Sequence, residues 1–385
     1  MIYIFMATYD LVVIGAGPAG SMAAITAAKA GIKTILIEEH PEVGTPLNCG
    51  EGISKEWITK FVDMKPSWIA SNIDGVTFTS PSRRQLTVYY PGVGYILERK
   101  IFDRDLAGLA AETGAEVRVK TRAIGLTKTG IDTNKGKIDA KIIIGADGGL
   151  SRVSRWAGID TKLEKKDFWT TCEYLLAAEV TENIVELIAG RETVPGGYIW
   201  IFPKSKYLAN VGAGVCPAIT RESPKTVLDN FLKWRFKKYS ILSEAMSMVP
   251  SKGVKTLVKN NVCLVGDAGR LIDPISGGGI GNALLTGQLA GKAAADAIKK
   301  DDIKKLKLYE KDWEKWEGKN FKIKLQARKI AMKLKDADIE LLFDFCKENF
   351  AGRNLTKMPN EIDVIKSILK FSPRFLKMGF NLLKS

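Results

Sequence analysis

The first forty residues alternate between apolar runs and a small-residue segment. Residues 9–14 are apolar except for Asp10 and have the pattern of a buried parallel strand. Residues 21–29 are rich in alanine and favour a helix, which Gly31 is expected to end. Residues 33–37, which end in Ile-Leu-Ile, predict the next buried strand, so the pattern indicates a β-α-β unit of about 30 residues.

The same two patterns return further along the chain. Apolar runs at 140–144 and 262–265 predict two more buried strands. Residues 102–113 and the small-residue stretch 279–299 predict helices. Residues 75–90 alternate between apolar and polar positions and contain turn residues, which predicts antiparallel strands.

Between about 160 and 255 the pattern becomes a series of short β-like stretches. These are 170–180, 186–189, 198–202 and 208–215. From 301 onward the chain is highly charged and its pattern is helical. We therefore predict an α/β fold with a Rossmann-type domain (1–75, 100–160 and 255–300), a mostly antiparallel sheet domain that interrupts it (76–99 and 161–254) and a helical C-terminal region (301–385).

The chain is strongly basic. It has 385 residues, of which 45% are hydrophobic, and 58 Lys and Arg against 43 Asp and Glu, for a net charge of +15. Such an excess favours anionic partners: nucleic acid, acidic lipid headgroups or phosphorylated substrates. Because no RNP, zinc-finger or helix-turn-helix pattern is present, we expect no nucleic-acid partner.

Cysteine and histidine usage excludes several classes of protein. The five cysteines lie far apart without a Cys-x-x-Cys pair, which argues against a disulfide framework or a zinc site and fits a reducing cytosol. The single histidine, His40, makes a Ser-His-Asp hydrolase or a multi-histidine metal site improbable, so we expect no metal. With no signal peptide and no apolar stretch of about 18 residues, a cytoplasmic location without a spanning helix is predicted.

The first glycine-rich segment lies between the predicted strand and helix of the β-α-β unit. Gly15 permits a tight turn, Gly17 lets the backbone approach a pyrophosphate, and Gly20 lets helix and strand pack closely. The helix N-terminus offers N–H groups to phosphates. Glu38 ends the next strand, where its carboxylate can accept hydrogen bonds from ribose hydroxyls. This element predicts a dinucleotide but does not distinguish FAD from NAD.

Two later segments distinguish the cofactor. Gly145-Ala146-Asp147-Gly148 follows one buried strand, and Asp267 follows another, where ligands bind in open α/β sheets. Asp267 suits a ribitol hydroxyl, and the glycines before residue 280 begin a second helix facing the same ligand. A domain that binds only NAD does not need this second acidic residue and second helix N-terminus. The sequence therefore predicts an FAD-binding Rossmann-type domain and a sheet domain for the substrate.

Three further motifs carry a family resemblance. They are Pro46-Leu47-Asn48-Cys49-Gly50-Glu51-Gly52-Ile53-Ser54, the stretch from Leu97 to Arg104, and Tyr198-Ile199-Trp200-Ile201-Phe202-Pro203. With the glycine segments, the chain resembles FAD-dependent proteins of the p-hydroxybenzoate hydroxylase-like fold. Within them it resembles the geranylgeranyl reductase family over about residues 8–300. The archaeal members, digeranylgeranylglycerophospholipid reductases, saturate the isoprenoid chains of ether lipids.

The resemblance implies roles for individual residues. The FAD contacts that it implies, together with the glycine segment, are Gly15, Ala16, Gly17, Ala19, Gly20, Glu38, Cys49, Gly50, Gly52, Arg99, Ala123, Asp267, Gly279 and Ile280. The side chains that would line the lipid cavity are Tyr198, Trp200 and Phe202. Cys49, or a water held near it, is the expected proton source for the reduced double bond.

Two other functions remain open from the residues. An FAD monooxygenase of an aromatic or lipid substrate would share all three flavin elements, and a membrane-docked flavin electron carrier would need no lipid chemistry. The electron donor is expected to be NAD(P)H or a small acidic redox protein such as ferredoxin.

The C-terminal tail mixes basic and apolar residues in an amphipathic pattern. Its cations are Lys366, Lys370, Arg374, Lys377 and Lys384. Such a segment can lie peripherally on an anionic lipid surface, here the inner face of the cell membrane. Packing of the same helix on the protein's own core is the alternative.

Overall fold

The computed structural model describes residues 7–353, 355, 359, 361–371 and 375. Their internal contacts form two compact units, each built from several chain segments. The first comprises the described residues of Met1–Leu47, Arg99–Lys162 and Pro250–Lys319, and the second those of Asn48–Glu98, Leu163–Val249 and Asn320–Ser385.

The first unit contains the predicted β-α-β start and the later parallel strands. Its strands are β1 (Ala7–Ile14), β2 (Thr34–Ile37), β6 (Glu116–Arg118), β7 (Ala123–Leu126), β8 (Gly130–Thr133), β9 (Gly136–Gly145), β15 (Val258–Lys259) and β16 (Val262–Leu264). Its helices are α1 (Pro18–Lys29), α3 (Arg99–Glu112), α4 (Val153–Trp156), α6 (Ile280–Lys299) and α7 (Leu308–Trp313).

The sheet of this unit has the order β15-β16-β9-β1-β2-β6. β1 pairs in parallel with both β2 and β9, and β16 pairs in parallel with β9. The carboxyl ends of these strands therefore lie side by side, which is where α/β sheets bind ligands. The apolar runs predicted as buried strands are confirmed, because Leu11, Val12 and Val13 are fully buried.

Helices α1 and α6 pack unusually closely in the same unit. A Cβ atom on Gly287 would lie 2.2 Å from the carbonyl oxygen of Ala19, and one on Gly291 would lie 2.6 Å from that of Ala23. The small residues predicted for 279–299 are thus required by helix packing. This contact brings the N-terminal ends of two helices into the same part of the unit.

The second unit is built on one large sheet with helices. Its strands are β3 (Gly52–Ser54), β4 (Ile69–Thr79), β5 (Gln85–Leu97), β10 (Phe168–Ala177), β11 (Ile184–Ile188), β12 (Tyr198–Ser205), β13 (Leu208–Val215) and β14 (Ser240–Pro250). Its helices are α2 (Lys55–Ile58), α5 (Pro224–Arg235), α8 (Lys319–Ala331), α9 (Asp336–Phe350) and α10 (Glu361–Phe371).

This sheet has the order β14-β10-β13-β12-β11-β4-β5-β3, and β11 pairs in parallel with β4. The strand pairs β10–β13, β11–β12, β12–β13, β3–β5 and β4–β5 are antiparallel. One face of β10, β12 and β13 packs on α5 through a core that includes Tyr174, Ile199 and Phe231. The predicted α/β class, with a mostly antiparallel second sheet and C-terminal helices, is confirmed.

The unit boundaries differ from the predicted domain limits by a few residues near 100, 160 and 250, and by longer segments at two places. Residues 48–75 belong to the second unit, because β3 and β4 pair with β5. The predicted C-terminal region divides at Lys319, so that α7 lies in the first unit and α9 in the second.

The tail helix α10 packs against α9 in the second unit, with the rings of Phe345 and Phe371 5.1 Å apart. Lys366 and Lys370 are exposed on it. Arg374, Lys377 and Lys384 lie outside the described residues. Among those described, no helix combines the length and apolarity that crossing a membrane requires.

Candidate functional site

The three glycine-bearing segments of the sequence meet in the first unit. A Cβ atom on Gly15 would lie 2.4 Å from the carbonyl oxygen of Ala146, and the amide of Ala146 donates to the carbonyl of Ile14 at 2.8 Å. A Cβ on Gly266 would lie 3.0 Å from the Cβ of Ala19. Segments more than 100 residues apart therefore approach each other closely, at a distance that excludes a Cβ at Gly15 and leaves little room for one at Gly266.

Gly17 differs from the glycines beside it. No atom lies within 4 Å of the position that its Cβ would occupy, and its φ of −68° suits any residue. The protein itself therefore does not require glycine here. Gly17 is the N-cap residue of α1, with Pro18 at the first helical position and no side-chain cap. Open space beside an uncapped helix N-terminus fits a pyrophosphate.

Glu38 lies directly beside this turn. One of its carboxylate oxygens accepts a hydrogen bond from the amide of Ala16 at 3.0 Å, and the other accepts from the amide of His40 at 3.0 Å. Its side chain is 12% exposed. The Nδ1 atom of His40 also lies 2.6 Å from the second oxygen. A carboxylate has about four acceptor positions, so these contacts orient Glu38 and leave capacity for a ribose hydroxyl.

Asp267 lies where the third segment meets the start of α6. Its Oδ1 atom would be 3.3 Å from a Cβ on Gly279, the N-cap residue of α6. Ile280, the first residue of that helix, is buried. Burial raises the pKa of Asp267, and the positive charges of Arg99 and Arg270 oppose that rise. Polar ribitol hydroxyls would satisfy a carboxylate held in this way.

Two other polar residues of the first unit have partners within the protein, and Ala123 is buried. Arg99 forms a two-point ion pair with Asp103, at 2.7 and 2.8 Å. Asp147 accepts from the amides of Arg152 and Val153, and so caps α4. Ala123 is buried at the start of β7. The FAD contacts assigned to Arg99 and Ala123 stay predictions.

The second unit carries the residues assigned to the lipid. Tyr198, Trp200 and Phe202 alternate along β12 on the face opposite the α5 core. Their rings follow one another, with centroid distances of 5.8 Å and 6.3 Å. We call this face, with Trp169, Thr171 and Glu173 of β10, the aromatic wall.

Glycines of the neighbouring strand make room for the wall. Gly212 pairs with Trp200 across the sheet, and its Cβ would lie 2.1 Å from the indole Cζ2 atom. Gly214 pairs with Tyr198, and its Cβ would meet Thr171, Trp169 and Trp200. The large rings of β12 thus cover the backbone of β13 at the two glycines, so that no side chain of β13 projects between them.

The loop that contains Cys49 contacts the same wall. Cβ atoms on Gly50 and Gly52 would lie 3.0 Å and 2.9 Å from ring carbons of Phe202. The amide of Glu51 donates to the Cys49 sulfur at 3.3 Å, and Cys49 is half-buried. The structure thus joins two of the three family motifs, which lie about 150 residues apart in sequence.

A buried ion pair holds this loop, which the sequence analysis missed. Glu51 has a φ of +68° and is 1% exposed, and its carboxylate lies 2.5 Å from the Nζ of Lys204. The side-chain amide of Asn210 donates to Glu51 at 2.7 Å and to the carbonyl of Gly50 at 3.2 Å. The sequence showed only that the Cys-Gly-Glu-Gly motif contains an acid, and it did not indicate which cation would pair with that acid.

Glu173 was also missed, and it is the acid nearest the wall's central ring. It accepts a hydrogen bond from the indole Nε1 of Trp200 at 3.1 Å. Burial raises the pKa of Glu173 to about 8, and the negative charge of Glu51 adds to the rise, while the Trp200 bond and Lys204 oppose it. At neutral pH this carboxyl group is therefore mostly protonated.

We expect Glu173→Gln to change the pH dependence of stability. The folded protein keeps a proton that the unfolded chain releases above its ordinary pKa of 4.5, so the contribution of this group falls as the pH rises from about 4.5 to about 8. The slope is at most about 1.4 kcal/mol per pH unit. Urea unfolding of both proteins across this window measures the difference. The exposed Glu179→Gln serves as the control, and parallel curves for wild type and Glu173→Gln would contradict the assignment.

Among the described residues, no three His, Cys, Asp or Glu side chains are grouped so that they could hold a metal ion.

Comparison with known proteins places both units in one family of sequences. The model of the geranylgeranyl reductase catalytic domain matches residues 167–249, and that of FAD dependent oxidoreductases matches residues 10–194. The digeranylgeranylglycerophospholipid reductase of Methanosarcina acetivorans is 42% identical, covering 96% of this chain and 94% of its own. That of Methanosarcina mazei is 40% identical over the same shares.

Solved structures agree with these sequence matches. A geranylgeranyl bacteriochlorophyll reductase-like protein from Thermoplasma acidophilum superposes with a TM-score of 0.91 at 33% identity, covering 98% of this chain and 100% of that one. A flavin-dependent brominase superposes with a TM-score of 0.73 at 19% identity, covering 98% of both chains, and this likeness concerns the fold alone.

Proposed function

The chain belongs to the geranylgeranyl reductase family, and from this membership we propose that it saturates the geranylgeranyl C=C bonds of ether phospholipid precursors. It is an FAD-dependent oxidoreductase. Its substrate class is the isoprenoid lipid, as in its relatives named digeranylgeranylglycerophospholipid reductase.

The observation that carries this proposal is the aromatic wall. Tyr198, Trp200 and Phe202 form a continuous row, and Gly212 and Gly214 remove the side chains that would obstruct it. A long apolar ligand gains by covering such a surface, at about 25 cal/mol per Å² of apolar area removed from water. An electron carrier without lipid chemistry would have no use for this row.

The residues of the first unit fit FAD. We propose that the N–H groups at the start of α1 and the open space at Gly17 hold its pyrophosphate, that Glu38 binds the adenosine ribose and that Asp267 binds the ribitol. When bound and reduced, FAD supplies the hydride that adds to one carbon of the double bond. An isoprenoid alkene has no carbonyl to stabilise charge, so the protein must orient the chain and exclude water.

The other carbon of the double bond needs a proton, and we propose that the Cys49 thiol supplies it. The thiolate that remains is reprotonated from solvent after each turnover. We expect Cys49→Ala to lower the rate of alkene reduction by at least about 100-fold, with FAD still bound. The matched control is Cys346→Ala, in α9 and also half-buried, which should reduce alkenes at the wild-type rate. Wild-type activity of Cys49→Ala would exclude the thiol as the donor.

The function is tested by anaerobic incubation of the chemically reduced protein with a digeranylgeranylglyceryl phospholipid, followed by mass spectrometry. We expect each saturated bond to add two hydrogens to the lipid. Oxygen-dependent gain of an oxygen atom would instead indicate a monooxygenase. Flavin reoxidation by an acceptor, with the lipid unchanged in every condition, would indicate an electron carrier.

We also propose that the protein works peripherally on the anionic, cytoplasmic face of the membrane that contains its substrate. The support is the net charge of +15 and the exposed Lys366 and Lys370 of α10, whose other side packs on α9. Lys366→Glu/Lys370→Glu should weaken flotation with anionic vesicles. If the variant floats as well as wild type, α10 is excluded as the segment that contacts the membrane.

The same charge supports an acidic redox protein such as ferredoxin as electron donor, with NAD(P)H as the alternative. A protein donor predicts that the reduction rate falls steeply with ionic strength. A rate that is independent of salt with ferredoxin, together with rapid reduction by NADPH, would favour the nicotinamide.

A further inference from the structure

One arginine of the second unit is buried without a counter-ion. Arg328 of α8 is 5% exposed, and its Nη1 atom has no hydrogen-bond partner among the described residues. Its Nη2 atom donates only to the carbonyl of Lys166, at the long distance of 3.5 Å. Within the same described part of the chain, no carboxylate forms an ion pair with it.

A guanidinium has five N–H donors, and most of those of Arg328 have no acceptor among the described residues. Burying the charge without a partner carries a large desolvation penalty. Burial lowers the pKa of Arg328 to about 10, and interactions with Cys216 and then Asp167 offset this only in part. Asp167 already accepts a hydrogen bond from the amide of Glu164 at 2.9 Å. Lys324, one turn earlier on α8, is also buried.

Arg328 lies at one end of the aromatic wall. Its guanidinium carbon is 3.5 Å from the ring centroid of Trp169, whose own Nε1 donates to the carbonyl of Gly196 at 2.8 Å. The Trp169 ring also borders the positions where Gly197 and Gly214 would carry a Cβ. The stacking fixes the plane of the guanidinium and orders it in advance of any ligand.

The opposite end of the wall lies beside Gly50 and Gly52. Those glycines meet Phe202, which shares a cross-strand row with Leu175. From Trp169 to Leu175 the strand rises by six residues, or about 20 Å. An extended isoprenoid chain laid along the wall would therefore place one end at Phe202 and the other at Arg328.

From this juxtaposition we propose that Arg328 binds the phosphate headgroup of the lipid substrate. The proposal rests on the function above and adds a recognition site for the polar end of the molecule. A phosphate oxygen pair matches the planar fork of a guanidinium and would satisfy the orphaned Nη1 donor. The enzyme would then distinguish phospholipids from neutral lipids with the same chains.

The test compares two substrates in wild type, Arg328→Leu and Arg328→Lys. They are digeranylgeranylglyceryl phosphate and the neutral digeranylgeranylglycerol. We expect Arg328→Leu to raise KM for the phosphate lipid by about 10- to 100-fold and KM for the neutral lipid by less than about two-fold. Arg328→Lys should recover part of the preference, because it keeps the charge. Unchanged flavin absorbance and Tm identify folded variants.

Two kinetic outcomes would overturn the proposal. Equal losses on both lipids in folded Arg328→Leu would assign a structural role to the guanidinium, and an unchanged preference would remove Arg328 from recognition. Millimolar inorganic phosphate distinguishes a headgroup site from a site for the free ion. Competition with the phosphate lipid is expected in wild type and not in Arg328→Leu, whereas phosphate binding without any preference between the lipids would exclude the headgroup.

A binding measurement separates this proposal from the function itself. Tryptophan fluorescence should report phosphatidate binding through Trp169, with weaker binding of the matching diacylglycerol, and Arg328→Leu should abolish the difference. If wild type reduces neither lipid but shows this difference, the proposed reaction fails and the anion site stands. If wild type reduces both lipids and binds phosphatidate no better than diacylglycerol, the anion site fails alone.

Discussion

Gly17→Val is expected to give a folded protein that does not retain FAD. The valine Cβ would meet no protein atom within 4 Å, and its backbone angles of −68° and −179° are allowed for valine. The side chain instead fills the space proposed for the pyrophosphate and keeps phosphate oxygens away from the N–H groups of α1. We expect FAD affinity to fall by at least about 100-fold, or about 2.8 kcal/mol. Flavin absorbance after gel filtration measures the loss.

Two further glycines make this result specific. Gly108→Val also meets nothing within 4 Å, on α3, and it should stay yellow and fully active. Gly20→Ala places a Cβ 1.8 Å from the carbonyl oxygen of Gly15, so it should fail to fold. A yellow Gly17→Val with wild-type FAD affinity would remove the glycine turn from the cofactor site.

Lys204→Met is expected to destabilise the protein by about 3–5 kcal/mol, because it leaves the buried Glu51 carboxylate without its cation. Glu51 and Lys204 are 1% and 8% exposed, so water replaces the lost partner poorly. The hydrogen bond from Asn210 compensates only in part. Urea unfolding monitored by circular dichroism measures the free energy of unfolding.

Two variants control for loss of the lysine stem itself. Lys206 lies two residues further along the chain and is 52% exposed. Lys206→Met should therefore shift the free energy of unfolding by less than about 0.5 kcal/mol. The double variant Lys204→Met/Glu51→Gln removes the stranded charge and should regain part of the loss. Equal stabilities of Lys204→Met and Lys206→Met would show that the buried pair contributes nothing.

The glycine segments illustrate what local sequence predicts well. A strand, a glycine turn and a helix follow one another within thirty residues, so periodicity and backbone freedom are enough to recognise them. The structure then brought Gly15 to Ala146 and Gly266 to Ala19. Their convergence followed from the parallel order of the strands, because the carboxyl ends of such strands lie together.

The aromatic wall could be predicted from the sequence only in part. The sequence predicted a β-like stretch over 198–202, in which every second side chain shares a face, and the structure has Tyr198, Trp200 and Phe202 in one row. The glycines that make the row possible were not predicted. Gly212 and Gly214 lie on another strand, and their spacing in the sequence gives no sign of which ring covers them.

By itself, the sequence determined the fold class, the family and the cofactor. Each of these is carried by residues close together in the chain, or by motifs whose backbone role is the same wherever they occur. Only the tertiary structure decided the surroundings of the ionisable groups: Glu51 is paired with Lys204, Glu173 lies beside Trp200 with a raised pKa, and Arg328 stacks on Trp169 without a counter-ion among the described residues. The energy of a charge depends on its distance from water and from other charges, and chain folding sets both across more than a hundred residues.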